Sequence, residues 1–210
     1  MSYSVVVTEG RRERKKQRTR QALIDAAVDL FETDGYDETT VARIAEAADV
    51  STRTFFLHFP AKEDVLLANA GGRIDLAVHA VAHRADGESV TDVLRRAVER
   101  MVGDAWQTDL SDGLAALRAR LIATEPALQA KLVHRLLAGQ TELTEALCDA
   151  FGGRISRLDA AALVGAVLGA VNAAALVSLR RGDRADEVRA AMLRAAEIAL
   201  GTRDIGVELG

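Results

Sequence analysis

Apolar positions recur along this chain at intervals of three and four residues, the spacing that stacks side chains on one face of a helix. Leu23, Ala27, Leu30 and Phe31 form the first such stripe, widened by Ile24 and Val28. It predicts a helix closing near Asp34-Gly35, where glycine can take the left-handed conformation. Thr40 is placed to cap a second helix whose apolar face is Val41, Ile44, Ala45 and Ala48. Asp49 and Val50 break the pattern, Ser51 caps a short third helix, and Pro60 ends it. Glu63 and Asp64 suit the first turn of a fourth helix, where carboxylates meet the positive end of the dipole.

The rest of the chain predicts longer helices with short connections. The fourth helix runs to about His83, interrupted or bent at Gly71-Gly72. Ser89 with Asp92 resembles a capping box that opens a helix reaching about Trp106. Ser111-Asp112-Gly113 opens a short one, and Thr124-Glu125-Pro126 starts another that extends to about Phe151. Gly152-Gly153 ends it, Ser156 with Asp159 begins the next, and Gly182-Asp183 precedes a last helix ending near Leu200. The tail after Gly201 is expected to be loose.

Composition agrees with an all-α chain. Only two prolines occur and 49% of residues are hydrophobic, enough to fill a core. Aromatic residues are 4% of the whole, so the cluster Phe55, Phe56 and Phe59 stands out. Cys148 is the single cysteine, which excludes an intramolecular disulfide and a multi-cysteine metal site. The first ten residues hold no apolar run of signal-peptide length, so a cytoplasmic location is expected. The net charge of −4 argues mildly against nucleic-acid binding, but its distribution argues the other way. Arg11, Arg12, Arg14, Lys15, Lys16, Arg18 and Arg20 crowd one short stretch against Glu13 alone.

Two short helices across a tight turn, with small Ala45 and Ala48 at the joint, suit a helix-turn-helix that seats its second helix in a DNA major groove. Ser51, Thr52, Arg53 and Thr54 stand at the groove-facing end. Arginine can donate two hydrogen bonds to guanine, and threonine can bond phosphate or touch a thymine methyl.

The stretch TVARIAEAADVSTRTFFLHFPAKEDVL, with RTRQALIDAAVDLFETDGYDETT before it, resembles the DNA-binding segment of TetR (tetracycline-repressor-type) regulators. The resemblance covers roughly residues 18–68. It implies base-edge roles for Thr52, Arg53 and Phe56, and phosphate roles for Thr40, Thr54, His58 and Lys62. Arg14, Lys15 and Arg18 are the basic-arm candidates, and Ser51 joins the reading helix as its cap. Two positions depart from the family, which commonly has glycine at Asp49 and tyrosine at Phe56. Aspartate tolerates the left-handed turn, whereas phenylalanine keeps the ring and loses a hydroxyl that could reach phosphate.

The resemblance also implies an N-terminal three-helix helix-turn-helix domain joined to a C-terminal helical domain for effector binding and dimerisation. The boundaries read as a flexible basic arm over 1–20, the DNA-binding domain over 21–66 and the second domain over 67–205. Expected partners are a palindromic double-stranded operator, a second copy of the chain and a small, apolar effector, with no cofactor, metal or membrane. Met101, Trp106, Leu117, Leu121 and Leu137 are candidate pocket residues. Ala161, Gly165, Gly169 and Ala173 recur every four residues, a stripe that permits close helix approach. With Leu176 and Met192 they are the candidate dimer contacts.

Other readings attach to single features. Residues 160–179 are long and apolar enough for a membrane anchor or a protein-binding module, but their alanine content favours a soluble helix buried on most sides. His79 and His83 lie four apart without an acidic or cysteine partner nearby in sequence, so solvated or structural roles are expected. No G-x-S-x-G, H-E-x-x-H or phosphate-binding glycine loop occurs, which leaves an enzyme without a site.

Overall fold

The computed structural model describes residues 4–68, 70–105 and 114–201. Among these residues there are ten helices and no strand. They are α1 (Ser4–Thr33), α2 (Val41–Ala47), α3 (Thr52–His58), α4 (Lys62–Leu66), α5 (Ala70–Ala82), α6 (Val90–Ala105), α7 (Leu114–Thr124), α8 (Pro126–Phe151), α9 (Arg157–Arg180) and α10 (Ala185–Ala199). The chain divides into two compact units, residues 1–68 and 69–210. Trp106 and the Ser111-Asp112-Gly113 start signal lie outside the described residues, as does the tail after Gly201.

Within the stretch expected to be a flexible arm, residues 4–20 form the first half of α1. Arginine, lysine, glutamine and glutamate lose little side-chain freedom in a helix. Pairs four residues apart add to this, with Gln17 donating to Glu13 at 3.3 Å and Gln21 to Asp25 at 2.8 Å. Farther along α1, Leu23, Ile24, Ala27 and Phe31 are buried, as are Ile44 and Ala45 of α2, Phe55 of α3 and Val65 and Leu66 of α4, and α1 packs against α2 and α4. Small side chains at the joint allow this short-helix packing. The core is shared, because helices as short as the seven-residue α2 and α3 are unstable alone.

The caps match the sequence pattern. Thr40 accepts a hydrogen bond from the Arg43 amide, and Ser51 accepts one from the Thr54 amide. Between α2 and α3, Asp49 takes φ +53°, the only positive φ at a non-glycine residue among the described residues. The Val50 amide donates back to the Ala45 carbonyl at 2.9 Å, closing the turn. The fourth helix breaks earlier than expected, at Leu67-Ala68 rather than at Gly71-Gly72.

In the second unit α5, α6, α8 and α9 share one core of Ala77, Val81, Leu94, Leu143, Leu147, Val164 and Leu168, among others. A second cluster joins Val98 and Val102 of α6, Val167 and Val171 of α9 and Ala196 of α10. Arg84 fastens the end of α8, donating to the Ala150 carbonyl at 2.6 Å with its guanidinium 4.8 Å from the Phe151 ring centre. Gly152 then closes α8 in the left-handed conformation, φ +53°. Arg96 grips both oxygens of Glu88, at 3.0 and 2.7 Å, and holds that carboxyl below its ordinary pKa, with the Ala85 amide assisting.

One expectation for α9 is overturned. Instead of being buried on most sides, the helix buries one face, Ala160, Val164, Val167, Leu168 and Val171, and exposes the other. Leu158 is 79% exposed and Val177 57%, with Ala162, Ala166, Gly169 and Ala173 also exposed. By length and composition α9 could cross a membrane, a test that apolar helices of soluble proteins also pass.

Candidate nucleic-acid interface

The reading surface is built on the exposed side of α3. Phe55 is fully buried and Phe59 nearly so, and together they anchor the helix on the core of the first unit. Their rings lie 5.8 Å apart. Because helical neighbours point in different directions, burying Phe55 turns Phe56 outward, where it is 57% exposed and meets Phe55 only edge-on at 5.6 Å. Of the three clustered phenylalanines, Phe56 is the one on the surface. A bare aromatic ring beside polar neighbours is an unusual use of apolar area and marks a contact surface.

Thr52 and Arg53 are exposed next to it. Arg53 makes no hydrogen bond or ion pair with any described residue, so its guanidinium is available to an outside acceptor. Thr54 is half-buried, and its hydroxyl pairs with that of Ser51 at 2.9 Å. Thr40 is exposed but its hydroxyl already caps α2. Ser51, Thr54 and Thr40 therefore set helix geometry first, and their hydroxyls reach a phosphate only as shared partners.

Lys62 sits elsewhere than its sequence position implied. Its ammonium donates to the Tyr36 carbonyl at 2.7 Å and the Thr39 carbonyl at 3.2 Å, and lies 4.1 Å from the Tyr36 ring centre. That grip fixes the connection between α1 and α2, and two of its three N–H groups are spent there. Thr39 is itself buried and donates its hydroxyl to the Gly35 carbonyl at 2.7 Å, where Gly35 has φ +89°.

The cations on α1 divide into two rows. Arg14, Lys15 and Arg18 are exposed on one side. Arg12, Lys16 and Arg20, spaced four apart, run down another side toward the C-terminal end of α3. Gly10, Arg12, Glu13 and Lys16 line one wall of an open cleft of about 820 Å³ whose other wall is Leu57 and His58. Arg20 closes the row, its guanidinium 5.0 Å from the Phe59 ring centre and hydrogen-bonded to the Ala68 carbonyl. Arg12, Lys16 and Arg20 were not singled out from sequence, although their four-residue spacing was the available signal. His58 is half-buried and its Nδ1 is buried without a hydrogen-bond partner among the described residues. Burial, then the charges of Lys16 and Arg20, push the His58 pKa below its ordinary value.

The other candidate residues lie in the second unit. Met101 packs against the main core and Leu117 is buried, while Leu121 is half-buried. Leu137 is 58% exposed on the outer face of α8, one turn from Val133 at 54%, so it does not line an interior pocket. Ala161, Gly169 and Ala173 are exposed and Gly165 half-exposed, with open space where a Cβ would stand on either glycine. Leu176 is half-buried, and Met192, also half-buried, packs against the second cluster. The rings of His79 and His83 stack 4.0 Å apart, and among the described residues no three metal-ligating side chains converge.

Two short capped helices across a left-handed turn, the second exposing an arginine and an aromatic ring, define a helix-turn-helix unit. Residues 23–68 match the family described as bacterial regulatory proteins, tetR family. Over those residues the chain carries the DNA-binding segment of that family. It is 36% identical over 129 residues to the HTH-type transcriptional regulator TcmR of Streptomyces glaucescens, covering 60% of this chain and 57% of TcmR. An HTH-type transcriptional regulator of Saccharopolyspora erythraea is 31% identical over 162 residues, 74% of this chain and 60% of that protein. The chain thus matches less than two thirds of the length of either relative. Its fold resembles that of the fatty acid degradation regulator FadR from Bacillus halodurans, with a TM-score of 0.59, 23% identity and coverage of 90% and 96% of the two chains.

Proposed function

We propose that the protein is a cytoplasmic DNA-binding transcriptional regulator, a homodimeric repressor released from a palindromic operator by a small-molecule effector, and not an enzyme. The observation that carries the reading is the solvent-facing side of α3, where Arg53, Thr52 and Phe56 stand exposed on a helix pinned from behind by Phe55. Arg53 would read a guanine edge and Phe56 a thymine methyl, while Thr40, Ser51, Thr54 and His58 hold the backbone. The relatives' names, HTH-type transcriptional regulators, point the same way.

Dimerisation follows from the second unit. A palindrome requires two reading helices about 34 Å apart, hence a two-fold axis. The outer face of α9 offers apolar, small-residue surface, with Gly165 and Gly169 leaving room for a second helix. A partner copy would cover what a single chain leaves bare. The effector is proposed to be apolar or amphipathic and to enter the second unit near Met101, Leu117 and Leu121. Its release mechanism requires that it bind the two conformations unequally.

Selection of bound duplexes from random DNA by the purified chain tests the whole reading. A palindromic consensus is the expected result. No enrichment, from a preparation shown to be folded and dimeric, would overturn it.

A further inference from the structure

Two of the chain's four histidines stand one turn apart on the same side of α5. His79 lies in the last turn of that helix, His83 is the residue after its end, and both are exposed. We propose that the pair chelates a divalent first-row transition-metal ion of the class that imidazole favours, such as Cu²⁺ or Zn²⁺. The site belongs to the second unit and does not depend on DNA binding.

Residues four apart on a helix are neighbours along one side. Here the two rings are nearly parallel, at 19°, with centres 4.0 Å apart. An ion held tetrahedrally at about 2.0–2.1 Å by each ring needs the two nitrogens roughly 3.3 Å apart. A small tilt of the exposed rings supplies that approach. His83 already has the form a metal requires. Its Nδ1 lies 2.9 Å from the His79 carbonyl oxygen, and a carbonyl only accepts, so Nδ1 carries the proton. In the neutral ring the lone pair is then on Nε2. Donation of the other ring proton to a backbone carbonyl is the usual support of a metal-bound histidine, because it fixes tautomer and ring orientation. The same carbonyl accepts the His83 amide at 3.1 Å, so ring and backbone are tied to one point.

The surroundings suit a cation. The C-terminal end of a helix carries the negative pole of its dipole, and the pair stands there. Asp75, exposed one turn before His79, adds negative charge on the same side without joining the pair. The neighbouring cation Arg84 is turned to the end of α8, onto the Ala150 carbonyl and the Phe151 ring. Among the described residues no third histidine, cysteine, aspartate or glutamate converges with the two rings. Water therefore completes the coordination. Imidazole nitrogens without clustered carboxylates select copper, nickel or zinc over Mg²⁺ and Ca²⁺. The bound ion links the last turn of α5 to the residue that follows it and so staples the helix end.

The experiment titrates the full chain, carrying no affinity tag, with Cu²⁺, Zn²⁺ and Mg²⁺ by calorimetry in a non-chelating buffer. About one Cu²⁺ or one Zn²⁺ per chain is expected, copper the tighter, with no Mg²⁺ bound. His79→Gln and His83→Gln should each weaken copper binding by roughly 100-fold or more, because the second ring binds intramolecularly. His134→Gln should leave it unchanged. In wild type, nuclear magnetic resonance should show Zn²⁺ moving the ring signals of His79 and His83 and not those of His58 or His134, a readout that needs no variant. Zinc should also raise the melting temperature of wild type and not that of His83→Gln. Wild type that binds neither Cu²⁺ nor Zn²⁺ below millimolar concentration would overturn the site. Single variants that bind as wild type does, or shifts confined to His58 or His134, would overturn it as well. Each of these failures leaves the DNA-binding reading intact, since no residue of the first unit takes part.

Discussion

Helices α3 and α9 each hide one face in the chain and leave the other bare, yet the bare faces are chemically opposite. On α3 the exposed residues are Thr52, Arg53, Phe56 and Leu57, a hydroxyl and a cation beside a ring and one aliphatic side chain. On α9, between Asp159 and Arg180, they are Ala161, Ala162, Ala166, Gly169, Ala173 and Val177, small or apolar throughout. A surface of the first kind suits a hydrated, anionic, grooved partner, to which it can donate hydrogen bonds without first losing a paired charge. One of the second kind gains little from water and much from another helix, since dispersion and apolar burial need only shape. Exposure alone therefore does not define a site. What the exposed atoms can exchange with a partner does.

The largest effect expected from breaking this comparison lies behind α3. Phe55→Ala removes a fully buried ring and should cost about 3–5 kcal/mol in denaturant unfolding, whereas the adjacent Phe56→Ala should change stability by less than about 0.5 kcal/mol and weaken DNA binding instead. Equal losses of stability would show that both rings are core. Next, Arg53→Ala should weaken a selected duplex by about 1–3 kcal/mol, roughly 5- to 150-fold, and random duplex much less. A uniform loss on both would make Arg53 a backbone contact.

On α9, Gly169→Leu sharpens the contrast because no atom within 4 Å of a new Cβ belongs to the same chain. Monomer folding should be unharmed, while overpacking at a helix pair should weaken the dimer by about 1–3 kcal/mol, read by sedimentation equilibrium. A dimer constant that does not move would remove this face from the interface. Gly139 on α8 is the internal control: a Cβ there would stand 2.8 Å from Ile74 Cδ1, so Gly139→Leu should destabilise the fold itself.

Smaller effects belong to the turn. Asp49→Val should cost about 1–2 kcal/mol because a β-branched side chain resists positive φ, while Asp49→Gly should cost nothing. Ser51→Ala should cost about 1 kcal/mol through the lost cap. Thermal melts of the set would rank them.

Legibility differed between features for a physical reason. Helix starts at Thr40, Ser51 and Ser156 were visible because a cap is a contact between residues two or three apart. The left-handed Asp49 was visible for the same reason: a turn is local. The arm was misread as flexible because basic runs are common in disordered tails, and only the four-residue pairing along α1 reveals the helix. The resemblance implies a phosphate role for Lys62, and its grip on Tyr36 is not legible because nothing local announces a contact across that many residues.

The sequence by itself determined the helical class, the caps, the turn and the segment that carries the family resemblance, all of which depend on spacings within a few residues. Tertiary structure alone decided which of three neighbouring phenylalanines points out, which face of α9 is bare, and that Arg12 and Lys16, rather than Arg14 and Lys15, face His58. Each of these depends on the rotation of a helix about its axis against partners distant in sequence. That rotation is set by which apolar residues pack best in the shared core, and no single stretch of sequence contains it.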